Sequence, residues 1–155
     1  MRFAAERGHA ATGIDRSQEA LDAAAAYGQT LLADIENGPW PFPESTFGGV
    51  IVTNYLWRPL LPAIVAAVAP GGVLLYETFA TGNETVGKPS RPDFLLQPGE
   101  LLTACADLRV VAYEDGFLAE PDRFVQRIAA VRPASQPTGS APRYPLDASQ
   151  ASGRP

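Results

Sequence analysis

The chain has 155 residues, 46% of them hydrophobic, which suffices for one domain with a buried core. Seventeen acidic against twelve basic side chains give a net charge of −5, and Lys88 is the only lysine, which excludes a binder of nucleic-acid phosphates. One histidine, His9, and one cysteine, Cys105, exclude a zinc site of usual spacing and an intrachain disulfide, and point to a reducing compartment, the cytoplasm. The start "MRFAAERGHAATG" lacks the apolar core of a signal peptide. The longest apolar stretch, residues 60–76, is broken by Pro70, Gly71 and Gly72, so no membrane span is expected.

In chain order, residues 2–7 read as the end of a helix closed by Gly8, and residues 9–14 as a strand stopping on Asp15. Ser17 suits the cap of a helix over residues 18–27, which Gly28 ends. "TLLADI", residues 30–35, is the next strand, followed by the proline-rich loop "NGPWPFPEST". "FGGVIVTN", residues 47–54, is an apolar strand ending on Asn54. Residues 56–69 read as a helix with Pro59 and Pro62 in its first turns, and Pro70-Gly71-Gly72 ends it. "VLLYETFA", residues 73–80, turns polar at Glu77. A polar loop, residues 81–94, leads to a helix near 98–107 and then to a strand pair, residues 109–118 and 123–132. From Pro133 to Pro155 the composition predicts a disordered tail.

Apolar strands alternating with helices predict an α/β fold, a mostly parallel sheet with helices on both faces and an antiparallel hairpin at its end. Ligands of such sheets bind beyond the carboxyl ends of the strands. Asp15, Asp34, Asn54 and Glu77 stand near four successive ends and suggest one crevice. A carboxylate at a strand end accepts hydrogen bonds from a ribose diol, which suits Asp15; the plainer reading makes it a loop acid or helix cap. Asp34 can accept from an adenine amino group while the Ile35 amide donates to a ring nitrogen.

The ordered segments "GIDRS", "LLADIENGPWPF", "FGGVIVTNYLWRPLL" and "APGGVLLYETF" resemble a class I S-adenosylmethionine-dependent methyltransferase, Rossmann-like in fold. The loop "GNETVGKPSRPDFLLQPGEL" is similar to that of a bacterial group labelled tellurite-resistance-type methyltransferases. The resemblance covers residues 2–132, and the expected methyltransferase-like domain is residues 1–132. It implies S-adenosylmethionine as cofactor and methyl transfer to a small-molecule acceptor. It further implies a cofactor-binding set of Asp15, Arg16, Asp34, Ile35, Asn54 and Tyr55, the last two beneath the methionine part. No catalytic base is apparent. Two features depart from that family. Gly48 and Gly49 follow Phe47 where an acid is common, and the first strand with its glycine-rich loop is missing. The domain thus reads as N-terminally truncated, with self-association through exposed strand edges. The alternative is a non-catalytic remnant acting as a structural or interaction domain.

Other residues carry two readings each. Trp40 and Phe42 would line an adenine pocket or pack a stiff loop on the core. Tyr55 and Trp57 could face substrate. Arg58 would bind an anionic substrate or sit in solvent at a helix end. Lys88 and Arg91 lie in a loop that is either a lid or plain surface. His9 reads as a strand-start residue, and Cys105 as core.

Overall fold

The computed structural model describes residues 1–134; the tail expected over 133–155 therefore lies, from residue 135 on, outside the described residues. The chain divides into two compact units, Met1–Pro41 and the part from Phe42 onward.

The first unit is a strand–helix–strand arrangement. Helix α1 (Arg2–Ala5) closes on Gly8 at φ +78°, with the amides of Gly8 and His9 bonding back to Ala5 and Ala4. Strand β1 (Thr12–Asp15) pairs in parallel with β2 (Gln29–Leu32). The crossover is α2 (Gln18–Ala24), extended by a 3-10 turn over Ala25–Tyr27. Ser17 caps α2 as expected, its Oγ accepting from the Ala20 amide at 3.3 Å. Leu21 is the buried residue of this helix.

The second unit holds a four-stranded sheet in the order β3-β4-β6-β5. Strands β3 (Phe47–Thr53) and β4 (Val68–Phe79) run parallel, while β6 (Arg123–Val131) is antiparallel to both β4 and β5 (Arg109–Leu118). Between β3 and β4 come a 3-10 turn, Arg58–Leu60, and helix α3 (Leu61–Ala66), with Pro59 and Pro62 in the first-turn positions expected of them. Helix α4 (Glu100–Ala104) precedes β5. Leu74, Tyr76, Ile128 and Ala130 are buried on one face of the sheet. Helices α3 and α4 contact β4, β6 and each other, adding Ile64, Val65, Leu101 and Cys105 to the core. Among the described residues, no helix is long and apolar enough to cross a membrane.

The α/β class and the terminal hairpin are as expected. The ladders are not one sheet but two, of two and four strands, with two parallel and two antiparallel pairings in all. Pro70-Gly71-Gly72 also behaves differently from a helix stop. β4 already pairs at Val68 with Phe47, and its register resumes at Val73 with Gly49, so residues 69–72 bulge opposite Gly48. A Cβ at Gly72 would lie 2.9 Å from the Phe47 carbonyl oxygen and 3.0 Å from that of Gly48, so only glycine fits this approach.

Candidate functional site

In the first unit the rim after β1 and β2 gathers four of the expected cofactor residues. Asp15 is the last residue of β1, and its carbonyl accepts from the Ala33 amide at 3.0 Å, placing Asp34 and Ile35 just beyond that link. Asp15 is exposed, with Oδ1 accepting from the Ser17 amide at 2.8 Å. This turn orients the carboxylate, and among the described residues Oδ2 has no protein donor. Exposed Arg16 lies 4.0 Å from Glu36, across the same rim.

Asp34 organises its own turn. Oδ1 accepts from the amides of Glu36 and Asn37, at 3.1 and 3.2 Å, and Oδ2 from the Asn37 side-chain amide at 2.8 Å. The Asn37 bonds hold its carboxyl below the usual aspartate value. The Ile35 amide donates to no protein acceptor among the described residues.

The second unit carries the other two. Asn54 follows β3 at φ +54°, its amide donating to the Glu77 carbonyl at 2.9 Å. Half-buried Tyr55 offers its carbonyl to the Tyr76 hydroxyl at 2.8 Å, and burial holds that phenol far above its ordinary pKa. Glu77 does not emerge at a strand end. It lies inside β4, paired with Arg127 at 2.6 Å and with Arg123 at 3.7 Å, because β4 runs on to Phe79.

Arg58 follows neither expectation, substrate ligand or free surface cation. Its Nε and Nη2 donate to Glu100 at 2.7 and 3.0 Å, and Nη1 and Nη2 to the carbonyls of Asp93 and Leu95 at 2.8 and 2.9 Å. That geometry fastens the loop between β4 and α4 rather than receiving a ligand. The loop is anchored elsewhere too. Asn83, 1% exposed, donates to the Pro89 carbonyl and accepts from the Phe124 amide. Gln126, fully buried, donates to the Gln97 carbonyl at 2.6 Å and accepts from the Leu101 amide at 3.3 Å. With Leu95 and Leu96 buried as well, the segment bearing Lys88 and Arg91 is stitched down rather than hinged. Sequence reasoning missed these anchors. A signal existed for Gln126, which falls in strand alternation with buried Ile128 and Ala130 and so had to face the core. Phe42 packs edge-on against Phe47 at 4.9 Å, which favours the core-packing reading.

This is the fold of S-adenosylmethionine-dependent methyltransferases. A methyltransferase of this kind from Mesorhizobium loti matches at TM-score 0.65 and 16% identity over 84% of each chain. One from Methanosarcina mazei matches at 0.63 and 13% identity, over 84% of this chain and 85% of that one. The 1,6-didemethyltoxoflavin-N1-methyltransferase of Burkholderia thailandensis, with 1,6-didemethyltoxoflavin and S-adenosylhomocysteine bound, matches at 0.59 and 16% identity, over 83% and 63%. No protein-family model and no curated protein matches the sequence.

The polar groups of the first unit fit the adenosine half of such a cofactor: at two neighbouring strand ends stand a rim carboxylate oxygen with no donor and an amide with no acceptor among the described residues. For the methionine half, two glycines of this unit already serve the chain's own turns. Gly8 ends α1, and at Gly28, φ +149°, a Cβ would collide with the Ala11 carbonyl.

Proposed function

We propose that the chain serves S-adenosylmethionine-dependent methyl transfer to a small-molecule acceptor, in the reducing cytoplasm. The observation that carries this reading is the rim of the first unit, where Asp15 keeps one carboxylate oxygen open while Ser17 holds the other. Asp15 would accept from the ribose hydroxyls, and Arg16 would flank it. Ile35 would donate its amide to the adenine ring, with Asp34 shaping the turn that presents it and accepting through the remaining lone pairs of its oxygens. The bound group supplies a methyl activated by the sulfonium charge, so the protein's share is positioning and exclusion of water. A soft nucleophile needs no base. Buried Cys105, its thiol pushed up to about 11 by burial, is not a candidate for that nucleophile.

Calorimetric titration with S-adenosylhomocysteine tests the reading. Charge-assisted hydrogen bonds are worth about 1.5–3 kcal/mol each, so Asp15→Ala should weaken binding at least about tenfold. Binding unchanged by Asp15→Ala would remove the ribose assignment, and absence of binding by the native chain would remove the cofactor.

A further inference from the structure

We propose that Asn37 is a site of spontaneous deamidation, and that its conversion unlatches the turn which Asp34 organises. The chain has asparagines at 37, 54 and 83, and of these Asn37 alone is followed by glycine. Asn37 and Gly38 are both exposed, so water reaches them. A glycine amide nitrogen, with no side chain beside it, closes most easily on the asparagine before it. Here the Gly38 nitrogen gives its proton to solvent base and bonds to the Asn37 Cγ. The Cγ–Nδ2 bond breaks and ammonia leaves. Water then opens the cyclic imide to aspartate or isoaspartate. One amide and one water become a carboxylate and ammonium, with no change of oxidation state.

The turn itself demands this glycine. A Cβ at Gly38 would lie 2.7 Å from the Asp34 carbonyl oxygen, to which the Gly38 amide donates at 2.8 Å. Asn37 Nδ2 meanwhile donates to Asp34 Oδ2 at 2.8 Å. Both reacting groups are therefore held by Asp34, and ring closure waits for the turn to open. Opening is reversible, whereas conversion is not. An aspartate at 37 offers Oδ2 no donor and sets a second carboxylate against it. Arg16 favours the Asp34 carboxylate, but it also faces Glu36 at 4.0 Å, so it offsets little of the added repulsion. Isoaspartate lengthens the backbone as well and displaces the Gly38 amide from the Asp34 carbonyl. The consequence for binding rests on the function proposed above, in which this turn presents Asp34 and Ile35 to adenine. A converted chain then loses adenine recognition, and a bound ligand protects Asn37 by keeping the turn closed.

Peptide mass mapping of the full chain, aged in mildly alkaline buffer, tests the site. The mass gain of deamidation should appear at Asn37 at least about tenfold faster than at Asn54 or Asn83. Asn37→Asp copies one product directly. It should raise the Asp34 pKa and speed exchange of the Gly38 amide, both read by nuclear magnetic resonance with no ligand present. It should also weaken S-adenosylhomocysteine binding about tenfold. For the native chain, S-adenosylhomocysteine at ten times its dissociation constant should slow conversion about tenfold, because the ligand binds the closed turn alone. An Asn37 still intact after Asn54 or Asn83 has changed would overturn the inference, and so would an Asp34 turn that Asn37→Asp leaves closed. Ligand binding indifferent to Asn37→Asp would overturn the link to adenine. If the native chain binds no S-adenosylhomocysteine, the proposed function falls, and the mass and resonance results still decide the deamidation site.

Discussion

A single carboxylate can be read differently according to what already donates to it. Asp15 and Asp34 looked alike in the sequence, each an acid near the end of an apolar run. The fold separates them: Asp15 spends one oxygen on the Ser17 amide, whereas Asp34 engages both in its own turn. That difference depends on Asn37, three residues on, and strand pattern carries no trace of it. Glu100 shows the same limit over a longer range. Its partner Arg58 is 42 positions away, and nothing local announces the pair. Burial alone would raise the Glu100 pKa, but the hydrogen bonds from Arg58 and the Gln97 amide outweigh it, so the carboxyl lies below its ordinary value. A depressed folded value means that the stability it contributes is fully present above the unfolded pKa and lost as pH falls through the folded one. Glu100→Gln should therefore cost about 1 kcal/mol near neutral pH, at the low end for a charged hydrogen bond because Arg58 is partly solvated. Chemical denaturation of both proteins should show that difference shrinking below about pH 4. A gap that stays constant into acid would mean that the charge of Glu100 is not what holds Arg58.

At the scale of elements, the hairpin was the most legible part. The sequence predicts its strands at residues 109–118 and 123–132, and they form over Arg109–Leu118 and Arg123–Val131. Apolar and β-branched residues dominate both strands, and the turn between them is short. The start of β4 was not legible, because Pro-Gly-Gly is the same signal whether the chain turns or bulges. The segment between β4 and α4 was harder still. Its polar composition suggested a lid or plain surface, yet Asn83 and Gln126 bind it through buried amides whose partners lie 41 and 29 residues away. Gln126→Leu keeps most of the volume and leaves the Gln97 carbonyl and the Leu101 amide without partners. Each such loss costs about 1–3 kcal/mol, so the variant should be about 2–4 kcal/mol less stable. Limited proteolysis should then cut first between Thr81 and Gln97. A variant as stable and resistant as the native chain would show that water replaces the glutamine there.

For the whole molecule, the order of strands and helices was readable because apolar runs and caps alternate cleanly along the chain. The division into two sheets was not, since a strand's hydrophobicity does not say which of its edges will find a partner. The rim of the first unit followed from the rule that ligands meet parallel strands at their carboxyl ends, and the anchors of the second unit from no sequence rule at all. The chain's one sulfhydryl has a practical consequence of its own. Cys105 is 1% exposed, and burial pushes it up to about 11, so almost no thiolate is available to a reagent while the core is closed. Opening of the core drops that value to the ordinary range near 8.5 and frees the sulfur. A chromogenic disulfide reagent should thus react in step with core opening, its rate rising with denaturant along the same curve as the loss of circular dichroism. Fast modification without loss of structure would place a local fluctuation at α4. The molecule carries its own clock for breathing, read with a spectrophotometer and needing no added label.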